Sequence, residues 1–321
     1  MTDNAVSEKA VPEAVPRKRA RVAVVGSANT DMAARVARLP GPGETVLGGE
    51  FAMLPGGKGA NQAVAAARLG AVVTFIACVG ADALGDGLVL GLEAEGIDTR
   101  YVVRDPDAPT GVALITVDEA TGENVIVVAS GANAKLSVGL VEMAADAIRD
   151  ADVVVCQLES PLKTVTAALK LAREAGKTTI LNPAPAQPLT NELLSLVSVL
   201  TPNETEAALL AKSASVTPAQ WANALRERGA ASVVVTLGAK GALVVTEAEE
   251  TLVQPFAPEK TVDTTAAGDC FTGALAVALG EGRSLRSAAM FANAAASLSV
   301  EKAGAQPSLP SRFEVERRQL D

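Results

Sequence analysis

The feature that most constrains the fold is a regular alternation of short apolar runs and helical patterns between residues 72 and 241. Five runs rich in Val, Ile and Leu have the length of buried strands, namely 72–79, 151–156, 178–181, 196–200 and 232–237. Helical patterns such as 162–175 and 204–212 separate them. Strands that are apolar on both faces and alternate with helices are typical of a parallel sheet covered on both sides. We therefore predict an α/β fold with a doubly wound, mostly parallel sheet.

Two other segments have a different pattern. Residues 32–55 contain repeated Gly and Pro around short apolar pieces, and residues 110–130 contain two β-type runs around a turn at 119–122. We expect both segments to join one accessory β-sheet. Residues 1–20 lack periodicity and are predicted to be a disordered tail, so that a single α/β domain occupies residues 21–321.

Composition excludes several classes of function. The 321 residues include no histidine, which rules out Ser-His-Asp triads, Cys-His dyads and histidine zinc sites. A net charge of -9 disfavours a nucleic-acid partner. No segment has the length of a membrane span and no signal-peptide pattern is present, so we expect a cytoplasmic protein without a membrane partner. Any chemistry is left to carboxylates, lysines, amides and metal ions.

Polar motifs follow the predicted strands. The first strand, 21–26, leads to Asp31, and further motifs stand at 157–160, 182–185, 201–206 and 236–241. Each motif alone could be an ordinary loop between a strand and a helix. Because parallel strands end at the same edge of a sheet, the motifs together predict a ligand site there. The G-x-G-x-x-G pattern of dinucleotide-binding folds is missing after the first strand.

A glycine-rich loop runs from Pro55 into an Ala-rich helix. Paired glycines allow a backbone to approach a ligand closely, and Lys58 and Asn61 would project from the first turn of the helix. The loop does not fit the P-loop pattern. A lysine at the positive end of a helix is electrostatically unfavourable, which favours a ligand-binding role over a simple turn.

The segment 262–273 precedes a long apolar helix. Its small residues, together with Gly268, predict an exposed helix N-terminus, where unpaired amides and the helix dipole attract anions. Asp269 lies inside this site, and the segment alone is compatible with an N-cap or with a catalytic carboxylate. The adjacent Cys270 is predicted to pack as a small residue, with a pKa that the helix N-terminus could lower.

Five segments resemble the ribokinase-like (PfkB-type) carbohydrate kinase family: 26–31, 56–63, 182–185 with 201–206, 263–269 and 304–308. The likeness spans residues 21 to about 310, and the segments 56–62 and 304–308 are most similar to the ribokinase branch. The resemblance implies a ribokinase-like fold with a small β-sheet lid at about 32–55 and 110–130. It also implies ATP-dependent phosphorylation of D-ribose at the 5-hydroxyl, giving D-ribose 5-phosphate and ADP.

The resemblance implies a role for individual residues. Asp269 would be the catalytic base. The implied ribose contacts are Asn29, Asp31, Gly57, Lys58, Asn61, Glu159 and Asp269. The implied ATP contacts are Asn203, Thr236, Gly238, Gly241, Gly268 and Asn293. The implied anion hole is formed by the amides of Ala266, Ala267, Gly268 and Asp269.

Ions and a second subunit are implied in the same way. Glu206, with Asn203, would hold Mg²⁺ through water. A monovalent cation, usually K⁺, would be bound by Asp263, Thr265, Ser299, Lys302, Gly304 and Ser308, in several cases through main-chain carbonyls. The lids of two subunits would pack together as a homodimer, and the apolar run at 125–128 suits such an interface.

Two alternatives remain. The first is a kinase of the same fold for another small substrate, such as deoxyribose, fructose or a nucleoside. A nucleoside base needs an aromatic platform, and aromatic residues make up only 2% of the chain. The second is a non-catalytic sugar sensor, which would be expected to lack the base, the anion-hole glycine or the metal-side acid. Gly268, Asp269, Asn203 and Glu206 are all present.

Overall fold

The computed structural model describes residues 18–121, 123–212 and 217–320. Residues 1–17 of the predicted tail lie outside this range, so the disorder expected there stays a prediction. Ala20 is buried directly before the first strand. No helix in the described ranges is long and apolar enough to span a membrane.

The described strands belong to two sheets. They are β1 (Arg21–Val25), β2 (Asn29–Val36), β3 (Phe51–Gly56), β4 (Val72–Gly80), β5 (Asp98–Asp105), β6 (Gly111–Asp118), β7 (Asn124–Ala129), β8 (Val153–Cys156), β9 (Thr178–Leu181), β10 (Val199–Leu200), β11 (Ser232–Thr236), β12 (Ala242–Val245) and β13 (Glu250–Val253). The described α-helices are α1 (Lys58–Arg68), α2 (Ala83–Ala94), α3 (Val138–Met143), α4 (Ala145–Asp150), α5 (Leu162–Glu174), α6 (Asn191–Ser195), α7 (Glu204–Ala211), α8 (Pro218–Glu227), α9 (Ala267–Gly280), α10 (Leu285–Ser299) and α11 (Arg312–Arg318).

The large sheet has nine strands in the order β13-β12-β11-β10-β9-β8-β1-β4-β5. The seven strands β11, β10, β9, β8, β1, β4 and β5 are parallel to one another. β12 and β13 add an antiparallel edge next to β11. The predicted doubly wound, mostly parallel fold is confirmed. The strand predicted at 196–200 is shorter, because Leu196 and Val197 donate to carbonyls of α6 and leave only Val199–Leu200 in the sheet.

Alternate strand residues face the two sides of this sheet, as the period of a strand requires. In β1, Val22 and Val24 join the core beneath α1, α2, α9, α10 and α11. Ala23 and Val25 join the core beneath α3 to α8. The helices on both faces bury the strand side chains and leave the carboxyl edge of the sheet as the place where loops converge.

The small sheet has four strands in the order β3-β2-β6-β7. β2 pairs parallel with β6 and antiparallel with β3, and β7 forms the outer edge. The sequence placed Asp31 at the end of the first strand, whereas the structure places it inside β2. After Gly26 the chain resumes an extended course, and Asp31 aligns with Leu54 on one side and Ala113 on the other.

Candidate active site

The carboxyl ends of the central strands meet the first turns of two helices. β1, β8, β9, β10 and β11 end at this edge, and α1 packs directly against α9. The predicted residues therefore come together from separate parts of the chain. The site is built around a carboxylate on α9 and the glycine-rich loop that begins α1.

Asp269 is the buried carboxylate of this site, with 5% of its surface exposed. Its Oδ2 accepts a hydrogen bond from Asn61 Nδ2 at 3.0 Å, and its Oδ1 accepts one from Gln62 Nε2 at 2.9 Å. The N-cap of α9 is Ala266, so Asp269 is not the cap and its side chain turns to α1 instead. Burial raises its pKa above the ordinary value, against the lowering effect of Lys58 and of the two amides.

The N-terminus of α9 carries no side-chain cap. Ala266 precedes the helix, and the Ala267 N–H donates to the Thr264 carbonyl at 3.2 Å, so this amide is partly engaged within the turn. A Cβ added to Gly268 would meet no atom within 4 Å, and two cavities reach this glycine. The helix end is therefore open to a ligand at Gly268.

Lys58 begins α1, and a distant carboxylate caps the helix there. The Lys58 N–H donates to Glu159 Oε2 at 3.0 Å, and the Ser27 hydroxyl donates to the same oxygen at 2.5 Å. Gly57, the N-cap residue, adopts φ 88° and offers no side chain. Glu159 thus supplies the negative charge that a helix N-terminus favours, which explains how a lysine is tolerated at this position.

The Lys58 ammonium lies among four carboxylates. Burial lowers its pKa, but the attraction of its acidic neighbours outweighs burial, so that the pKa is raised and the charge is kept. These neighbours are Asp269, Glu159, Glu206 and Asp31. The Lys58 ammonium therefore balances the acidic groups of the site.

Asp31 faces the same cluster from β2. Burial, with the charges of Glu159 and Asp269, raises its pKa to about 7, while Lys58 opposes the shift. A Cβ at Gly56 would lie 2.3 Å from Asp31 Oδ2. Glycine at position 56 is therefore what allows the carboxylate to occupy this place.

Asn29 lines a cavity of about 380 Å³ on the side of the small sheet, together with Glu159. Asn29 Oδ1 accepts a hydrogen bond from Asn133 Nδ2 at 2.7 Å, and Asn133 also bonds to both main-chain groups of Ala28. No sequence pattern indicated Asn133, which follows the small sheet in a short helical turn. Ser27 lies in the segment 26–31, but no role was predicted for it, and neither residue belongs to a periodic pattern.

A second cavity of about 320 Å³ lies on the other side of α9. Five of the six residues expected at the nucleotide line it, namely Thr236, Gly238, Gly241, Gly268 and Asn293. Asn293 Nδ2 donates to the carbonyls of Val253 and Gln254 at 3.2 and 3.0 Å, which holds the loop after β13 against the cavity. Phe256 and Phe271 complete the walls, and no motif had singled them out.

A smaller, central cavity of about 190 Å³ adjoins the nucleotide-side cavity. Lys58 and Asp269 line it, and it shares Thr236, Thr264 and Gly268 with the nucleotide-side cavity. The buried carboxylate therefore lies next to the nucleotide-side cavity, and the Lys58 N–H bond to Glu159 connects its cavity to the one beside the small sheet.

Asn203 and Glu206 line this central cavity and also cap α7. Asn203 N–H donates to Glu206 Oε2 at 2.9 Å, and Glu206 N–H donates to Asn203 Oδ1 at 2.8 Å. Burial raises the pKa of Glu206, against the hydrogen bond from Asn203 and the charge of Lys58. The capping box aims the Glu206 carboxylate at the cavity, and Asn203 lies here and not among the lining residues of the nucleotide-side cavity.

The residues expected at a monovalent cation lie on two adjacent segments, the loop at 263–265 and the stretch from the end of α10 to residue 308. Asp263 ties the segments together, because its carboxylate accepts hydrogen bonds from Thr265 N–H at 2.9 Å and from Gly304 N–H at 2.8 Å. Burial opposes ionisation of Asp263, but these bonds outweigh it and lower the pKa. The N–H groups of residues 262 and 263 both donate to the Val300 carbonyl and complete the contact between the two segments.

Three side chains of this set are engaged elsewhere. Ser299 Oγ donates to the Ala296 carbonyl at 2.9 Å, and Ser308 Oγ donates to the Ala305 carbonyl at 2.8 Å. Lys302 Nζ is 3.0 Å from Glu314, outside the two segments. At Lys302 only the main-chain oxygen therefore remains available to a cation. The described residues contain no cluster of three or more acidic or cysteine side chains suited to a metal.

The prediction that the helix N-terminus lowers the pKa of Cys270 is wrong. Cys270 is fully buried, and burial raises its pKa to about 12. The helix end that could stabilise a thiolate opens toward the cavities, whereas the thiol points into the core.

Known proteins that are similar in sequence and structure belong to the family that the motifs resemble. The sequence pattern of the pfkB family carbohydrate kinases matches residues 19–312. The ribokinase of Haemophilus influenzae is 44% identical over 302 residues, which cover 92% of this chain and 97% of that protein. A crystal structure of the ribokinase of Thermotoga maritima superposes with a TM-score of 0.87 at 39% identity, covering 94% of this chain and all of the other.

A solved structure also shows ligands on this fold. The ribokinase of Arabidopsis thaliana, complexed with ribose and ATP, superposes with a TM-score of 0.86 at 35% identity and covers 94% of this chain and 98% of its own. The family pattern spans most of the chain, and relatives far above 30% identity match along nearly their whole length. The chain belongs to the pfkB family of carbohydrate kinases.

Proposed function

We propose that this chain transfers the γ-phosphoryl group of ATP to the 5-hydroxyl of D-ribose, giving D-ribose 5-phosphate and ADP. The observation that carries the proposal is the position of Asp269, a buried carboxylate in the central cavity that adjoins the nucleotide-side cavity. Lys58 lines the same central cavity, and its N–H bonds to Glu159, which lines the cavity beside the small sheet, here called the sugar-side cavity. Similarity to ribokinases over more than nine-tenths of the chain supports the same substrates.

Phosphoryl transfer passes through a loose transition state, so catalysis depends on position and on electrostatic stabilisation. Asp269 accepts the proton of the attacking hydroxyl, and Asn61 and Gln62 hold its two oxygens. The open helix end at Gly268 would face the transferring group, and removing one such donor typically costs about 100- to 1000-fold in rate. The Lys58 charge offsets the negative charge that gathers there.

Two ions belong to the proposal. Mg²⁺, when bound, neutralises charge on the phosphate oxygens. Glu206 fits a water-mediated Mg²⁺ site, because its carboxylate lines the central cavity and is held by Asn203. The two segments joined by Asp263 fit a K⁺ ion, since carboxylate and main-chain oxygens are the ligands that hard cations prefer. Lys302 would contribute its carbonyl, as its ammonium pairs with Glu314.

The sugar-side cavity favours a sugar over a nucleoside. Polar side chains line it, among them Asn29, Asn133 and Glu159, and none of its described lining residues is aromatic. Sites that hydrogen-bond each substrate hydroxyl discriminate strongly against analogues that lack one. Deoxyribose and other sugars are therefore expected to be poorer substrates.

A coupled assay tests the proposal with ATP, a panel of pentoses, hexoses and nucleosides, and KCl or choline chloride. We expect the highest kcat/KM with D-ribose and activation by KCl. Preference for another sugar or for a nucleoside would contradict the substrate. Ribose binding by calorimetry without any turnover would identify a sensor in place of a kinase.

We also propose that the small sheet forms the interface of a homodimer and acts as a lid. On the edge strand β7, Val125, Ile126, Val127 and Val128 are each between 46% and 59% exposed. An apolar edge strand of this kind exposes unpaired main-chain groups, which a second copy can cover.

The unpaired, buried cysteines are compatible with a cytoplasmic location, where thiols stay reduced.

Light scattering tests the dimer. We expect a mass of two chains for the native protein and of one chain for Val127→Lys. Met143→Lys on α3 is the matched control, because Met143 is 68% exposed and lies outside the small sheet. A native mass of one chain at working concentration, or dissociation by the control alone, would contradict the interface.

A further inference from the structure

Gln62 is a fully buried amide whose hydrogen bonds all go to other buried polar groups. Gln62 Nε2 donates to Asp269 Oδ1 at 2.9 Å and to Asn182 Oδ1 at 3.1 Å. Gln62 Oε1 accepts from Gln157 Nε2 at 2.7 Å. The four side chains come from α1, α9 and the ends of β8 and β9, and none is more than 6% exposed. A network of this kind connects the proposed base to the sheet.

A main-chain carbonyl sets the direction of this network. Asn182 Nδ2 donates to the Thr201 carbonyl at 2.9 Å, and a carbonyl can only accept. Asn182 therefore turns its Oδ1 to Gln62, and that oxygen requires a donor. Gln62 meets the requirement with one hydrogen of Nε2, which directs the second hydrogen to Asp269. The Gln62 amide thus faces the carboxylate as a donor.

Gln62 differs from its neighbour Asn61 in one respect. Asn61 also donates to Asp269, but its Oδ1 is buried and has no partner among the described residues, so this acceptor is still unused. Both hydrogens and the carbonyl oxygen of Gln62 are in use. Gln62 can therefore influence a reaction only through the groups that it holds.

We infer that Gln62 is the positioning residue of the base, holding Asp269 Oδ1 so that the carboxylate stays oriented and ready to accept a proton. This inference rests on the proposed function, in which Asp269 is the base. A hydrogen bond to the ionised form also favours that form, so the Gln62 donor lowers the pKa of Asp269 against burial. The orientation and the ionisation of the Asp269 carboxylate then both depend on its hydrogen bond from Gln62.

Other charges also act on this carboxylate. Lys58 on α1 lowers the pKa of Asp269, and Glu159 after β8 raises it. Asp31 on β2 and Glu206 on α7 belong to the same cluster, since the charge of Asp269 raises the pKa of both. A change at Gln62 leaves these four groups in place, so a shift in the pH profile reports the lost donor.

Gln62→Met tests the inference, because methionine keeps the unbranched length and removes both hydrogen-bonding groups. We expect kcat with D-ribose to fall about 10- to 100-fold while the KM for ribose changes less than threefold. The acid limb of the kcat profile is expected to move up by about one pH unit. Thr179→Val is the matched control, since Thr179 is fully buried, donates to the Leu196 carbonyl and lies at the opposite end of β9.

A double-mutant cycle separates this inference from the proposed function. In an Asp269→Asn background we expect Gln62→Met to cause no further loss of kcat, because Gln62 acts only through the carboxylate. An additive loss, or a folded Gln62→Met enzyme with native kcat and acid limb, would overturn the positioning role alone. Native turnover by Asp269→Asn would instead overturn the base assignment.

A second variant covers the case in which Gln62→Met does not fold. Gln62→Glu keeps the shape of the side chain and replaces the Nε2 donor with an oxygen. We expect a lower kcat and an acid limb shifted further than one unit, because two carboxyl groups then share the contact. A native profile for Gln62→Glu would contradict the inference.

Discussion

Asn61 Nδ2 donates to Asp269 Oδ2 at 3.0 Å, joining the first turns of α1 and α9 across 208 positions of sequence. The contact places the carboxylate beside the glycine-rich loop and below the open end of α9. Because the two helices also pack along their length, the carboxylate is held by a rigid part of the fold. The geometry of the proposed reaction therefore depends on helix packing as well as on the motif around Asp269.

Asp269→Asn is expected to lower kcat by about 100- to 10,000-fold, because general-base catalysis contributes on this scale. The KD for D-ribose, measured by calorimetry, should change only a fewfold, since the side chain keeps its volume. The new NH₂ group faces a donor from Asn61 or Gln62, so the variant should also lose roughly 1–3 kcal/mol of stability. Turnover close to the native value would contradict the assignment.

Ribose affinity is expected to depend on pH through Asp31. Its pKa is raised to about 7, and a sugar hydroxyl donates a stronger hydrogen bond to the ionised form. Affinity should therefore rise by up to about tenfold per pH unit below 7 and level off above it. Calorimetry between pH 5.5 and 8.5 measures this, with Asp31→Asn expected to show a flat profile. A flat profile for the native protein would refute the prediction.

The same group is expected to destabilise the free protein at neutral pH. The pKa of Asp31 is higher in the folded state than its ordinary value of 3.8, so folding opposes its ionisation. Its contribution to stability is highest below the unfolded pKa and is lost as pH rises from about 4 to 7, by at most about 4 kcal/mol. Asp31→Asn should unfold at a higher temperature than the native protein at pH 8 but not at pH 4. Equal melting temperatures of the native protein and Asp31→Asn at pH 8 would rule out a destabilising effect of the ionised Asp31.

Lys58→Met removes the cation that balances four carboxylates. The pKa of Asp269 and of Asp31 should both rise, since Lys58 lowers each of them. We expect kcat to fall by about 100-fold and the midpoint of the pH-dependent ribose affinity to move above 7. The Lys58 main-chain bond to Glu159 should survive, so α1 is expected to remain folded by circular dichroism. Lys170→Met on the exposed face of α5 is the control, and equal effects of the two changes would contradict this role.

Asp263→Ala is expected to abolish activation by KCl. The change removes a carboxylate oxygen and releases Thr265 and Gly304, so the two segments lose their connection. Stability should fall by roughly 1–3 kcal/mol for the broken bonds to a charged acceptor. Assays and melting curves in KCl and in choline chloride measure both effects. Persistent stimulation by KCl in the variant would place the cation elsewhere.

Local patterns predicted a large part of the fold. Apolar runs with the period and length of strands identified β4, β8, β9 and β11, and the accessory β segments form the small sheet. The strand at 196–200 was overestimated, because an apolar pattern does not distinguish the end of α6 from the start of β10. The site residues came from motifs at strand ends, where parallel topology brings distant segments to one edge.

The residues for which no role was predicted from the sequence share a physical reason for being missed. Ser27, Asn133 and Gln62 act by hydrogen-bonding another side chain, and their partners lie 132, 104 and 207 positions away. Such pairings arise from the packing of α1, α9 and the sheet, which no local pattern records. The same holds for Cys270, whose helix position suggested a low pKa while its burial in the core imposes a high one.

By itself the sequence determined the parallel sheet, the edge at which ligands bind and the kinds of group available for chemistry, because these follow from periodicity and composition. The segment around Asp269 alone was compatible with a cap or a base, and the family resemblance favoured the base. Only the tertiary structure excluded the cap, since α9 begins at Ala267 after an uncapped Ala266 and the Asp269 carboxylate is held by two amides of α1. The physical reason is that a helix cap is a local interaction, whereas a buried, oriented carboxylate requires partners that packing brings from elsewhere in the chain.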